Sequence, residues 1–218
     1  MNRKKIIAST TAYVRGRMSG EGSGHDWWHT YRVWKTALRI AEREKGADAF
    51  VVQLGALLHD IADWKFSGGD EAAGERAARA WLRKAGADAE TVERVGRIVG
   101  NVSFKGAGVR DTMDTLEGRI VQDADRLDAI GAIGIARAFA YGGYRGRLLY
   151  DPAHKPESHM SFGEYKSSSS PSINHFYEKL FLLKGRMHTG TARRIARERD
   201  AFMRLYVRRF FREWDGKE

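Results

Sequence analysis

The sequence predicts an all-α fold, a bundle of helices, on three observations. Apolar residues recur at helical spacing along most of the chain. The three prolines, at 152, 156 and 171, fall in one stretch, so none interrupts a helix before it. No segment alternates as a half-buried strand does, and there is no internal repeat.

The elements follow in order. Residues 4–18 form a short amphipathic segment, and residues 26–45 a longer helix with Val33, Ala37, Ile40 and Ala41 on one stripe. Asp26 is placed to cap the start of that helix and Gly46 to end it. Residues 48–62 are the most apolar stretch, with Phe50, Val51, Leu54, Leu57, Leu58 and Ile61. Two more helices cover 70–85, closed by Gly86, and 88–100. Residues 115–141 carry one long helical pattern rich in Ala, Ile and Gly. Residues 142–171 then break the pattern with glycines, all the prolines and Ser167–Ser170. A loop of that length in a compact domain is functional or disordered. As a substrate lid it has a hinge and two aromatics in Tyr141-Gly142-Gly143-Tyr144; as a disordered insertion it has none of that meaning. Helix returns at 172–187 and 191–214, the last with an apolar stripe of Ile195, Phe202, Tyr206, Phe210 and Trp214. The chain thus reads as one domain over 1–218: a helical core from about 22 to 142, the loop, and a two-helix extension over 172–214.

Composition excludes several classes of function. With 218 residues and 42% hydrophobic content, the chain can bury a core and is not globally disordered. It has no cysteine, which removes disulfide scaffolds, thiolate metal sites and a cysteine nucleophile. No run approaches eighteen apolar residues, so no membrane span is expected. The basic start is followed by an apolar run of only three residues, too short for a signal peptide, and the expected location is cytoplasmic. Lys plus Arg number 38 against 28 Asp plus Glu, a net charge of +10 that favours acidic partners.

Chemistry concentrates in a few ionisable residues on apolar faces. His59-Asp60 closes the apolar run at 48–62, where burial is costly unless the side chains are paired or bind a metal. By itself this dipeptide is equally a hydrogen-bonded core pair, and a second copy, His25-Asp26, lies in a glycine-rich stretch. His29 precedes Val33 and Ala37 by one and two turns and so faces inward; Asp125 shares a face with Val121. Two imidazoles with two carboxylates suit a divalent first-row metal.

The segments His29-Thr30-Tyr31-Arg32-Val33, His59-Asp60 and Ala124-Asp125-Arg126-Leu127 resemble the H…HD…D pattern of the HD-superfamily metal-dependent phosphohydrolases. The likeness covers about residues 22–142. The tail, Ser172-Ile173-Asn174-His175-Phe176-Tyr177-Glu178-Lys179-Leu180 and an Arg-rich aromatic helix ending at Glu213-Trp214, is similar to a small bacterial subgroup with manganese-dependent nucleotide pyrophosphohydrolases among its members. The resemblance implies helices packed around one divalent ion, with His29, His59, Asp60 and Asp125 as ligands. Manganese is the first expectation, with Fe, Co, Ni, Zn and Mg as the other metals. Residues 61–124 hold no histidine, and Asn101 falls where a second-metal histidine would lie, so a mononuclear site is expected and the two-iron oxygenase branch is not.

The expected reaction takes a nucleoside or deoxynucleoside triphosphate to its monophosphate plus pyrophosphate by a metal-activated water. Asp63, one turn past His59, is the candidate to orient or deprotonate the water, against the plainer reading of a helix-end residue or a ligand's partner. Asp128, one turn past Asp125, has the same two readings, with orientation of a ligand preferred. His25 is a weaker assistant. Lys65, Lys105, Lys179 and His175 are candidate phosphate contacts, with Lys166 in the loop; each also reads as a solvated side chain. Three rival functions stand beside this one, the third a scaffold that keeps the fold without activity, against which the complete ligand set argues. Eight arginines on 191–214 suggest nucleic-acid binding, although Glu198, Asp200 and Glu213 dilute them. Hydrolysis of an alarmone or a cyclic-nucleotide phosphodiester uses the same centre, but its usual pair of acidic residues after the HD is here only Asp63. The expected partner is a phosphate-bearing small molecule, and the sequence leaves the oligomeric state open.

Overall fold

The structure, a computed structural model, describes residues 2–18, 26–61, 70, 72–102, 112–157 and 170–217. Among these residues every regular element is helical, and no helix is long and apolar enough to cross a membrane. The chain forms two compact units whose boundary falls between Asp125 and Arg126.

The first unit contains α1 (Arg3–Arg17), α2 (Trp27–Ala41), α3 (Ala49–Leu58), α4 (Ala73–Lys84), α5 (Ala89–Asn101) and most of α6 (Leu116–Asp128). Side-chain caps start four of these helices: Asn2 accepts from Lys5 N, Asp26 from His29 N, Asp48 from Phe50 N and Asp88 from Thr91 N. Helix α3 is the centre. Eight of its ten residues are buried, and it packs against α1, α2 and α5. An element with no polar face must be surrounded. Helix α4 lies on α5 and is fastened to α1 by Tyr13 stacked on Trp81 at 3.8 Å and by Trp81 Nε1 donating to Thr10 Oγ1 at 2.9 Å. Helix α2 is shorter than its pattern predicts: it stops at Ala41, and turns fill the run to Gly46.

The continuous helix expected over 115–141 is two helices, α6 and α7 (Gly131–Tyr144). The chain turns at Ala129-Ile130, and Gly131 takes φ +82°, a left-handed value that costs an L-residue about 1–2 kcal/mol. The apolar period continues across the break, which is why the sequence hides it. Helix α7 also runs through Tyr144, so Tyr141-Gly142-Gly143-Tyr144 is its last turn and not a hinge.

Part of the expected loop is fixed structure within the second unit. Ser172 N and Ile173 N donate to Leu148 O and Leu149 O at 2.9 and 3.0 Å, and Asn174 Nδ2 donates to His154 O at 2.9 Å. Buried Glu178 accepts from Glu157 N at 3.2 Å and Ser170 Oγ at 2.8 Å. Of the loop expected over 142–171 as lid or disordered insertion, residues 158–169 lie outside the described residues. The helix expected at 172–187 changes winding along its length: a π segment (Phe176–Leu180), one α turn, α8 (Phe181–Leu183), and a 3-10 turn (Lys184–Arg186). The last helix, α9 (Gly190–Trp214), is capped by Thr189 and packs on α7. Its buried residues are Thr191, Ala192, Ala196, Asp200, Met203 and Val207. The predicted stripe is displaced: Phe202 and Trp214 are each 49% exposed, while Tyr206 and Phe210 join Phe139 and Phe176 in an aromatic cluster at 6.0–6.4 Å spacings. The buried line of α9 runs through Ala192, Ala196, Met203 and Val207, beside the predicted stripe and not along it.

Two predictions follow from these contacts. A Cβ on Gly134 would stand 2.2 Å from Ala129 O, a backbone atom that cannot yield cheaply. Gly134→Ala should therefore cost about 2 kcal/mol or more, read as a fall in Tm, while the open position Gly143→Ala should be tolerated. Asp200 is buried and receives Lys184 at 2.6 Å and Arg204 at 2.9 Å. Burial pushes its carboxyl up, but those hydrogen bonds outweigh burial and hold it below the ordinary carboxylate value. A lowered folded-state pKa stabilises above the unfolded value near 4 and is lost as pH falls. Asp200→Asn should thus cost about 1–2 kcal/mol at pH 7, the partners being 39% and 47% exposed, and the gap in Tm to the parent should close toward pH 3.

Candidate metal centre

The first unit brings two helices and a helix end to one point. His29 is the third residue of α2, directly after Trp27-Trp28, and its backbone N–H is taken by the Asp26 cap at 2.8 Å. The Val33 and Ala37 stripe carries its side chain into the core, where His29 is 1% exposed. His59 ends α3 and is 5% exposed; Asp60 follows it. Asp125 stands in the last turn of α6 with its side chain 31% exposed. Helix α3 comes close enough because Gly55, one turn before His59, has no side chain. A Cβ there would be 3.2 Å from both Ile98 and Val121 side chains.

The polar atoms that result are crowded. His29 Nε2 lies 3.1 Å from His59 Nε2, 3.3 Å from Asp60 Oδ2 and 3.5 Å from Asp125 Oδ1. His59 Nε2 lies 3.4 Å from Asp60 Oδ2 and 3.9 Å from Asp125 Oδ1. His59 Nδ1 is 2.8 Å from Ala56 O, which can only accept, so the proton sits on Nδ1 and Nε2 of the neutral ring presents a lone pair. A proton on His29 Nε2 would still leave three acceptors around one donor. Four donors on one ion at the usual 2.0–2.2 Å stand about 3.0–3.6 Å apart, and four of the five distances fall in that range. The arrangement therefore fits a divalent cation, and its imidazole-carboxylate chemistry suits first-row metals. Among the described residues, His29, His59 and Asp125 form the metal-capable group of side chains, with Asp60 beside them.

The other predicted residues are distributed differently. Asp128 is buried and paired with Arg137 Nη1 at 2.7 Å, an arrangement suited to orientation. Asn101 is used at the end of α5: its amide donates to Arg97 O at 2.9 Å, its side-chain oxygen accepts from Thr112, and buried Gln122 donates to its carbonyl at 3.3 Å. His175 and Lys179 belong to the second unit and are half-buried. They flank and occupy the π segment, so their spacing of four does not make one α turn. Asp63, Lys65, Lys105, Lys166 and His25 lie outside the described residues. Sequence reasoning passed over Arg126, Arg137 and Arg199 as binding partners of the α6 end.

Comparison with known proteins agrees with this centre. Residues 27–130 match the HD domain family. The chain is 37% identical over 218 residues to the Bacillus subtilis protein YpgQ, covering 99% of this chain and 97% of that one. A Lactobacillus plantarum protein of solved structure superposes with a TM-score of 0.86 at 36% identity, covering 99% of this chain and 100% of that one. A Bacillus thuringiensis structure described as an HD-superfamily hydrolase superposes at 0.76 with 39% identity, covering 98% and 99%. YpgQ has also been solved in complex with ADP, and that structure superposes at 0.74 with 33% identity, covering 97% and 100%. The chain belongs to the HD superfamily of hydrolases. Its activity is accordingly that of a metal-dependent phosphohydrolase.

Crowded acceptors repel until a cation joins them, which separates stability from binding. Asp125→Asn should keep or raise the Tm of chelator-treated protein, since one charge leaves the cluster. In the parent, Mn²⁺ at a hundredfold over Kd should add about 2.7 kcal/mol of stability. The variant should show little of that gain in thermal denaturation with and without metal.

Proposed function

We propose that the protein cleaves nucleoside or deoxynucleoside triphosphates to the monophosphate and pyrophosphate, at one divalent ion held by His29, His59, Asp60 and Asp125, with manganese as its native metal. The observation that carries the reading is the acceptor cluster: two imidazole nitrogens and two carboxylate oxygens within 3.1–3.9 Å, one imidazole with its tautomer set by Ala56 O. That YpgQ was crystallised with ADP supports a nucleotide as the ligand class.

A divalent ion at this centre supplies Lewis-acid chemistry, acidifying water and polarising a phosphoryl oxygen. The four side chains hold it with two carboxylates, leaving little net charge at the centre. Asp63 takes the proton from water as the oxygen adds to the α-phosphorus; the bond to the bridging oxygen breaks, and its electron pair departs with pyrophosphate. Asp128, held by Arg137, keeps the end of α6 in orientation. Lys65, Lys105, His175 and Lys179 are the cations assigned to the substrate phosphates. The ionisable chemistry is that of a small polyphosphate, which needs few contacts, and not that of a long nucleic acid.

A panel of nucleoside tri-, di- and monophosphates, cyclic nucleotides and a guanosine alarmone, each with Mn²⁺, Mg²⁺ and Co²⁺, tests the reading. Pyrophosphate and monophosphate released in equal amounts from a triphosphate, fastest with Mn²⁺, is the expected result. Release of orthophosphate, or turnover of the cyclic or alarmone substrates alone, would overturn it. Within this reading Asp63→Asn should keep metal affinity and lose about 10²–10⁴ in kcat; unchanged kcat removes Asp63 from proton transfer.

A further inference from the structure

The metal centre draws Asp125 from the weakest part of its helix. Helix α6 ends at Asp128, so Asp125 lies in the last turn. The last carbonyls of a helix lie beyond the reach of its own N–H groups, and a terminal turn frays unless other groups hold it. Charged side chains tie this turn down, one by leaving it for a neighbouring segment and one by reaching it. Arg126 is 5% exposed, and its Nη1 donates to Arg186 O and approaches His188 Nε2 at 3.1 Å. Arg199, from α9, donates through Nη1 to Leu127 O, which also accepts from Ile130 N at 3.2 Å. The stem of Arg199 runs beside Gly131: a Cβ there would stand 2.9 Å from Arg199 Cγ. Gly131 thus serves twice, turning the chain at φ +82° and leaving room for the arginine that reaches the helix end. A guanidinium at the carbonyl end of a helix also lies at the favourable pole of its dipole.

We infer that Arg199 and Arg126 are positioning residues of the metal centre: Arg199 by bonding a carbonyl of the last turn of α6, and Arg126 by anchoring that turn to Arg186 O, fix the aim of Asp125 without touching the ion. This rests on the reading of Asp125 as a ligand. Loss of a group that orients a metal ligand weakens binding by about ten- to a hundredfold. The order of importance follows the geometry. Arg199 bonds a backbone carbonyl two residues from the ligand, and Arg126 anchors the residue next to it.

The test measures Mn²⁺ affinity by isothermal titration calorimetry on chelator-stripped, full-length protein whose helicity has been verified by circular dichroism. Arg199→Met keeps the stem beside Gly131 and removes the donors. It should weaken Mn²⁺ binding about ten- to a hundredfold, with Arg199→Lys recovering part of the loss. Arg126→Met should do the same. A purely structural role predicts a lower Tm for the stripped protein with an unchanged Kd for Mn²⁺, and that result would overturn the inference. Should Arg199→Met not fold, Arg199→Lys decides: it retains the charge but not the reach of the fork, and parental affinity in it counts against the proposal. Asp125→Ala separates the two claims. If it binds Mn²⁺ as the parent does, the ligand assignment fails. If it loses the ion while the arginine variants bind normally, only the positioning role fails.

Discussion

The arrangement on which the rest depends is the approach of four acceptor atoms that repel one another. Imidazole nitrogens 3.1 Å apart, with two carboxylate oxygens at 3.3–3.9 Å, crowd at least three acceptors into one place. The packing around them must supply the free energy that holds them there until a cation reverses the sign. Helix α3 does most of this. Its largely apolar circumference, eight of ten residues buried, demands neighbours on most sides, and those neighbours include α2, which carries His29. Gly55 sets how near α3 comes to the Ile98 and Val121 side chains of α5 and α6, and hence how near His59 comes to Asp125. The core is therefore arranged against a local electrostatic preference, as is common where binding is the purpose.

Helix α6 shows how such a preference is overcome at both ends of one element. At its start, buried Glu117 accepts the backbone N–H of Asp48 at 3.0 Å and pairs with Arg94 at 3.0 Å, so the first turn is tied to the cap of α3 and to α5. In its middle Gln122 donates to the carbonyls of Asn101 and Val102, both at 3.3 Å, finishing α5. At its end Arg126, Arg137 and Arg199 each make a polar bond within one turn. A helix carrying a single ligand is held by bonds at three heights, which leaves little freedom in where that ligand points.

Much of this was legible in the sequence, and the reasons are specific. His29, His59 and Asp125 were readable because each sits at helical spacing from apolar residues, so the period that predicts the helix also predicts the direction of the side chain. The same period concealed the break between α6 and α7, since Ala129 and Ile130 continue the pattern and only Gly131 marks the turn. The inward line of α9 was misplaced for a related reason. Large aromatics dominate a hydrophobic pattern, yet the residues buried on this helix include Ala192, Ala196 and Met203. The π segment at Phe176–Leu180 has no sequence signal of its own, so spacing arguments about His175 and Lys179 assumed the wrong winding. Bonds such as Arg199 to Leu127 O join residues 72 apart and no local pattern announces them.

The basic charge of the chain takes a definite place in this picture. Asp60 and Asp125 together offset the charge of a divalent ion, so the proposed loaded centre has little net pull on a polyphosphate. Attraction over distance must then come from the excess of ten positive charges, which acts as a field more than as contacts. Several of the arginines on α9 are already committed: Arg204 to Asp200, Arg209 to Glu213, Arg193 to Met187 O and Arg199 to Leu127 O. An arginine whose N–H groups are spent on carbonyls still contributes its full charge to the field, while losing much of its capacity to grip a phosphate. One helix can thereby stabilise the fold and draw anions toward the molecule without being a nucleic-acid reader. The same division explains why the chain can be strongly basic while its reacting centre is built from carboxylates.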